Sequence, residues 1–309
     1  MKKHFLYGFL GLLIFIPGSL AWADSIASQA APWIRIPDTT RQAALGGSAG
    51  ALLGDVDALD VNPAGLADLR TDEIAFTQAF WVQGLSVEHL VYGHSFGDFT
   101  FALGGDYLDF GAVDQYTLNG SGLPSPNGTY SPTSLDLQAG AGVKLGELFE
   151  VGLSARTLYQ SLSATDQAWG LAVDLGLLYL NQPGGFRAGL AIQNLGTSLD
   201  GASLPLVADL SGAFTRVLSE GHRVSLTADG GLNLQQNGSS AIGAGVEYTY
   251  REILALRLGY RGGPAGTLNG LAGFSTGIGI TVKPFELGYA LTTLGDLGTA
   301  QEISLKSFY

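Results

Sequence analysis

From residue 71 to its end most of this chain follows a two-residue alternation, with charges gathered on one register of its strand-like segments, a pattern that few folds accommodate over such a length. In the middle of the chain Leu135, Leu137, Ala139, Ala141, Val143 and Leu145 share one face, with Asp136, Gln138 and Lys144 on the other. The next segment sets Val151, Leu153, Ala155 and Tyr159 against Glu150, Ser154 and Arg156; the one after sets Trp169, Leu171, Val173, Leu175, Leu177 and Tyr179 against Asp174. Random placement would put Asp136, Lys144, Glu150, Arg156 and Asp174 all on the polar register about one time in thirty, given a strict period of two. Arg187, Asp229, Glu247, Arg257 and Glu286 obey the same rule further on. A charge facing hydrocarbon near a bilayer midplane costs ~2–4 kcal/mol, so a lipid-facing register is expected to be emptied of charge. The last segment, Gln301 to Tyr309, reads QEISLKSFY, with Ile303, Leu305 and Tyr309 on the apolar register and Glu302, Ser304 and Lys306 on the other. An amphipathic strand closing the chain on an aromatic residue reads as a C-terminal insertion signal for outer-membrane barrel assembly.

These patterns predict an all-β fold, a 14-stranded antiparallel transmembrane β-barrel spanning residues 71–309. The expected strands are residues 72–80, 85–95, 98–108, 133–145, 149–161, 167–180, 185–194, 205–217, 222–234, 239–250, 253–261, 269–281, 284–293 and 300–309. Their connections supply a separate argument. With entry from the periplasm, the even connections face inward and are terse: 96–98, 146–148, 219–221 and 283–284. The long ones, 109–132 and 194–205, are both odd and so external, the asymmetry expected of such barrels. Charged residues make up only 14% of the chain, below the share of about 25% in ordinary soluble domains, and beyond the first residues no apolar run approaches the ~20 of a spanning helix.

Residues 1–23 read as a signal peptide: Lys2 and Lys3 precede an apolar core from Phe5 to Ile16, Pro17 and Gly18 break it, and Ala21-Trp22-Ala23 offers a small-x-small site for cleavage before Asp24. The product is expected in the bacterial outer membrane, with outer-membrane lipid and the barrel-assembly machinery as partners. The sequence has no cysteine, which excludes disulfides, thiolate metal sites and a lipidated cysteine anchor. A net charge of -12 and a pI near 4.6 argue against nucleic acid as a partner.

Residues 24–70 follow no alternation. The 46 glycines of the chain are about twice the usual share, and glycine is costly in strands, so their abundance points to close backbone approach, here to something inside the barrel. Residues 41–69 read RQAALGGSAGALLGDVDALDVNPAGLADL. This stretch resembles the N-terminal signature of the PorV/PorQ family, relatives of the long-chain fatty acid transporters (FadL) of outer membranes. Arg41, Ala43, Ala44, Gly46 and Gly47 match its leading block, Asp55 to Asp57 its acidic turn, and Asn62, Pro63, Ala64, Gly65 and Leu66 its Asn-Pro-Ala-Gly-Leu run. The fragments Ala191–Gly196, Leu256–Tyr260 and Leu287–Ala290 are similar too. The resemblance implies a 14-stranded barrel whose residues 24–70 fold into the lumen as a plug. Pro63 restricts Asn62 to extended backbone, and Asn62 can bond the turn it begins, so a structural role is expected for this motif rather than ligand contact.

Other chemistries find little support. Asp55, Asp57 and Asp60 lack the spacing of a calcium loop, and Gly46-Gly47-Ser48-Ala49-Gly50 lacks the lysine of a phosphate loop. His89, His94 and His222 have no ligand-spaced partner in the sequence, no nucleophile motif is present, and neither metal, cofactor nor catalytic residue is expected. His89 shares a register with Leu85, Val87 and Val91, which implies either a shifted strand or an imidazole facing lipid. Asn119-Gly120, Asn127-Gly128 and Asn237-Gly238 read as tight turns. Two functions follow from the resemblance. One is passive uptake of small hydrophobic molecules past the plug. The other is a shuttle or assembly role in a type IX-like secretion system, binding exported protein cargo through residues 109–132 with Tyr116, Leu118, Leu123 and Tyr130. An elongated apolar cavity beside the plug would favour the first, a dry packed interior the second.

Overall fold

The computed structural model describes residues 30–163, 166–181, 185–235, 240–263 and 271–309. The expected signal peptide and cleavage site lie outside the described residues. Eighteen strands are β1 (Glu73–Phe80), β2 (Ser86–Ser95), β3 (Phe99–Asp109), β4 (Val113–Leu118), β5 (Pro124–Tyr130), β6 (Thr133–Leu145), β7 (Phe149–Ser163), β8 (Asp166–Asn181), β9 (Phe186–Gly196), β10 (Ser198–Leu199), β11 (Ala202–Ser203), β12 (Val207–Ser219), β13 (His222–Asn233), β14 (Ala241–Tyr250), β15 (Leu254–Gly262), β16 (Phe274–Val282), β17 (Phe285–Thr293) and β18 (Thr299–Phe308), counted among the described residues. Fourteen of them form the closed antiparallel barrel, a transmembrane β-barrel in architecture, with β1 pairing β18 to complete the ring. The remaining four make two small hairpins, β4–β5 and β10–β11, in the long connections 110–132 and 197–206. These define a long-loop end; the opposite, short-turn end carries connections such as 96–98, 146–148 and 283–284.

The alternation becomes geometry. Leu153, Leu171, Leu258, Leu287, Ile303 and Leu305 stand exposed on the outside, while Asp136, Glu150, Arg156 and Asp174 on the neighbouring register are buried in the lumen. Water would not stabilise such an exterior, whereas hydrocarbon does. No helix among the described residues is long and apolar enough to cross a membrane, which says nothing of the strands.

Strand β2 corrects one expectation. Its register is not shifted and its imidazole does not face lipid. Val87, His89 and Val91 point inward and are buried, while Glu88, Leu90 and Tyr92 are exposed outside. The inward face is apolar because it meets an apolar plug: Val91 packs in one cluster with Val56, Leu59 and Leu69. Among the supposed tight turns, Asn119 does open one, its Oδ1 accepting from the N–H groups of Ser121 (2.9 Å) and Leu123 (3.0 Å). Asn127 instead lies within β5, next to a register shift opposite Asp114 to Tyr116. Asn237 lies outside the described residues.

Candidate functional site

Residues 39–69 run through the lumen as a chain of short helical turns, each with a sequence reason to begin. Thr39 caps the helix Thr40–Ala44, its Oγ1 accepting from Gln42 N–H (3.1 Å). Gly46 and Gly47 follow at φ 67° and 79°, a left-handed bend that only glycine enters cheaply. A helical turn spans Ala58–Val61, and Asn62 caps the 3-10 segment Pro63–Asp68 with Oδ1 accepting from Ala64 N–H (3.2 Å). Ala44, Leu45, Ala49, Val56, Leu59, Ala64 and Leu66 are fully buried.

Wall glycines make this burial possible. Gly142, Gly152 and Gly176 lie side by side on β6, β7 and β8. A Cβ on Gly152 would sit 2.1 Å from the Pro63 carbonyl carbon, and one on Gly176 would sit 2.2 Å from Asn62 Oδ1. Across the lumen Gly245 and Gly259 form a second flat patch, where a Cβ on Gly259 would lie 2.2 Å from Gly46 N. Backbone therefore lies against backbone on two sides of the lumen.

Ion pairs complete the attachment. Arg41 donates from Nε and Nη2 to the two carboxylate oxygens of Glu247 (2.9 and 2.7 Å), and Glu247 also accepts from Arg257 Nε (2.8 Å). Lys306 Nζ donates to Asp57 Oδ2 (2.7 Å) and lies 2.9 Å from Asp55 Oδ2. Asp68 meets Arg187 at 2.8 Å, and Gly50 N–H donates to Asp229 (2.8 Å). Burial opposes ionisation of Asp55, which lies in a turn outside every strand, but the Lys306 ammonium and then the Arg41 guanidinium outweigh it and hold the carboxyl below its ordinary value. Asp57 shares that ammonium with Asp55, and burial pushes its carboxyl up.

The residues named by the sequence motif thus separate into two groups. Gly46, Gly47, Asn62, Pro63, Ala64 and Gly65 serve backbone packing: a Cβ on Gly65 would lie 2.6 Å from Leu53 O. Asp55 and Asp57 instead face strand β18. Ile303, Leu305 and Tyr309 are exposed on the outer face of the barrel, away from the lumen. The histidines have partners that sequence spacing did not show. His89 Nδ1 lies 2.7 Å from Asp106 Oδ1 and its Nε2 3.3 Å from Asp60 Oδ2, all three buried. Gln138 Nε2 also donates to Asp60, and Arg156 pairs with Asp136 (2.9 Å) and Asp174 (3.1 Å). Donor atoms of Asp60, His89 and Asp106 fall within 4.8 Å of one another, close enough to share a cation. His94 pairs with Asp72 (2.6 Å) and His222 with the Tyr248 hydroxyl (2.7 Å).

Two cavities lie on either side of the plug. At the long-loop end a cleft of about 750 Å³ is lined chiefly by apolar groups, among them Trp33, Ile36, Leu108, Phe110 and Leu199, together with Arg35 and Arg261. Ala43, Gly46 and Gly47 form part of its wall. At the short-turn end a second cavity of about 490 Å³ carries charged groups, among them Arg41, Asp55, Asp57, Glu247 and Lys306, beside apolar ones such as Ile253, Leu254 and Phe308. The helix Thr40–Ala44 contributes to both, through Ala43 above and through Thr40 and Arg41 below.

No protein-family profile and no curated protein matches the sequence. Solved structures do share the fold. The toluene transporter TbuX of Ralstonia pickettii has a TM-score of 0.56 at 16% identity, over 87% of this chain and 98% of that one. CymD, a monoaromatic hydrocarbon channel, has a TM-score of 0.58 at 14% identity, over 87% and 97%. A FadL homologue from Pseudomonas aeruginosa has a TM-score of 0.50 at 11% identity, over 88% and 98%. At these identities the likeness is one of architecture.

Proposed function

We propose that this barrel lies in the bacterial outer membrane, long loops outward, and admits small hydrophobic molecules passively past its lumenal plug. One observation carries the reading: an apolar cleft of about 750 Å³ opens at the long-loop end and stops at the plug helix, with a cavity bearing charged groups beyond it. A cleft of that size falls within the usual range for small-molecule sites. A solute that hides about 200 Å² of apolar surface in it gains roughly 5 kcal/mol of gross transfer free energy. Association costs consume much of that gain, leaving weak, reversible binding, which suits a transit site better than a storage site. Onward passage requires displacement of Thr40–Gly47, since those residues separate the two cavities. The hydrocarbon channels with this architecture lend the reading support as analogues of fold, no further.

The test is uptake of a labelled hydrocarbon or fatty acid by cells expressing the protein, beside cells carrying the variant Leu199→Asp, which places a charge in the cleft. Uptake above a deletion strain, reduced in the variant, supports the proposal. Equal uptake in all three strains defeats it. The secretion reading draws on a different feature: hairpin β4–β5 projects at the long-loop end with Tyr116, Leu118 and Leu123 exposed. Tyr130, named with them, is instead half-buried, its hydroxyl donating to Ser161 O (2.7 Å). Capture of exported proteins by the intact hairpin, lost on Leu118→Ser, would favour that alternative.

A further inference from the structure

The pair β1–β18 differs from every other neighbouring pair in the barrel, because no connection of the chain joins it. Its two strands must find each other across the whole length of the barrel sequence, which carries the largest loop-closure cost of any pair. The pairing covers eight positions, from Glu73↔Phe308 to Phe80↔Gln301, as many as β1–β2 and β16–β17. On its lumenal side this seam carries three buried ionisable groups, Glu73 on β1 with Glu302 and Lys306 on β18, at 6%, 1% and 7% exposure.

Between them, Glu73 and Lys306 bond to three consecutive residues of the plug. Val56 N–H donates to Glu73 Oε2 (3.1 Å). Lys306 Nζ donates to Asp57 Oδ2 (2.7 Å) and lies 2.9 Å from Asp55 Oδ2. Higher on the same strand the Ser304 and Thr40 hydroxyls are 2.8 Å apart. We infer that the turn Asp55–Val56–Asp57 is a staple: it fastens the last strand to the first, so that docking of the plug and closure of the barrel form one event. The lumenal segment then has a function in assembly that is independent of any transport. The closing strand acquires two readings as well, with Ile303 and Leu305 exposed outward and Lys306 addressed to the plug.

A plug that merely filled the lumen would stabilise all walls alike. Its other attachments supply the contrast, since Asp68 reaches Arg187 on β9, far round the ring from the seam. The experiment compares the full chain, Asp55→Asn/Asp57→Asn and Asp68→Asn in detergent by amide hydrogen exchange. The staple predicts that the double variant exchanges about tenfold or more faster at β1 and β18, the effect of losing charge-assisted hydrogen bonds, with β7 and β8 unchanged. Asp68→Asn should leave the seam at its original rate. Seam rates unaltered in the double variant, or acceleration spread evenly around the ring, would overturn the inference. Should the double variant fail to assemble, a seam disulfide decides the matter. Phe76 and Leu305 are opposed on the exposed face, and the chain has no cysteine of its own. Phe76→Cys/Leu305→Cys under oxidising conditions should restore a heat-resistant folded band to that variant. A failure to restore it also overturns the staple.

Discussion

Replacing Gly152 by alanine adds one methyl group where the wall has no room for it. Its carbon would lie 2.1 Å from the carbonyl carbon of Pro63, 2.2 Å from that carbonyl oxygen and 2.3 Å from Ala64 N. Ordinary carbon contacts are about 3.5–4.0 Å, so the plug must recede by more than about 1 Å. Sideways movement is blocked: Gly176 on the next strand already lies under Asn62 Oδ1, and Gly142 on the other side lies under Ala67 N. Overpacking against rigid backbone belongs at the upper end of the usual range, about 3 kcal/mol. Receding also strains the bonds from Gln193 Nε2 to Asp60 O (3.1 Å) and Val61 O (3.0 Å). The alanine itself favours the strand by roughly 0.5–1 kcal/mol, but that gain accrues to the barrel and not to plug docking. The undocked population should therefore rise about a hundredfold while the barrel stays folded. Limited proteolysis of residues 40–70 and conductance in planar bilayers report on the plug; heat-modified migration on gels reports on the barrel. Gly230→Ala is the control, because nothing lies within 4 Å of its Cβ position. If Gly152→Ala resisted protease and conducted no more than this control, the account of wall glycines as the bed of the plug would be wrong.

Three further outcomes are expected. Glu247→Gln leaves two guanidiniums without their shared carboxylate, Arg41 and Arg257, and should cost about 3–5 kcal/mol, seen as a lower urea midpoint with release of the plug. Leu199→Asp should weaken binding of an apolar fluorescent probe to the long-loop cleft by roughly tenfold or more without changing the folded band on gels. Acid should loosen the plug in a defined direction. Asp55 has a depressed folded pKa, so its contribution is complete above the unfolded value of about 4 and disappears as pH falls through the lower folded value. Protease sensitivity of residues 40–70 should accordingly appear on acidification below that range, and Asp55→Asn should show it already at neutral pH.

The barrel was legible because its exterior obeys one rule along nearly all its strands, Glu88 on β2 being an exception. Lipid is a uniform solvent, and it imposes the same demand on Leu153, Leu171, Leu258 and Ile303 wherever they fall in the chain. Strand number and the difference between long and short connections followed from that rule and from turn chemistry, both local properties. The inward register has no such uniform neighbour. Where it meets the apolar side of the plug it is apolar, as at Val87 and Val91, and where it meets helix ends and acidic turns it is charged, as at Glu247 and Lys306. Strand β2 misled for this reason: an apolar inward face looks like a lipid face until the plug is in place.

The lumenal site was hidden for a related reason. Its pairs join residues far apart in sequence, Arg41 with Glu247 and Asp57 with Lys306, and no spacing rule connects them. His89 shows the limit most clearly, since Asp106 comes from the adjacent strand β3 and Asp60 from the plug, and only barrel closure brings the three together. Composition still held a clue in its glycines. A strand that gives up side chains on its inward register surrenders packing and entropy, and that loss is recovered only if another backbone occupies the space. Gly142, Gly152 and Gly176 form one such row and Gly245 and Gly259 another, so the wall records the shape of what lies against it. A lumen meant to stand open would gain nothing from these rows. Their presence argues that the docked plug is the resting state and that any passage of solute is a brief departure from it.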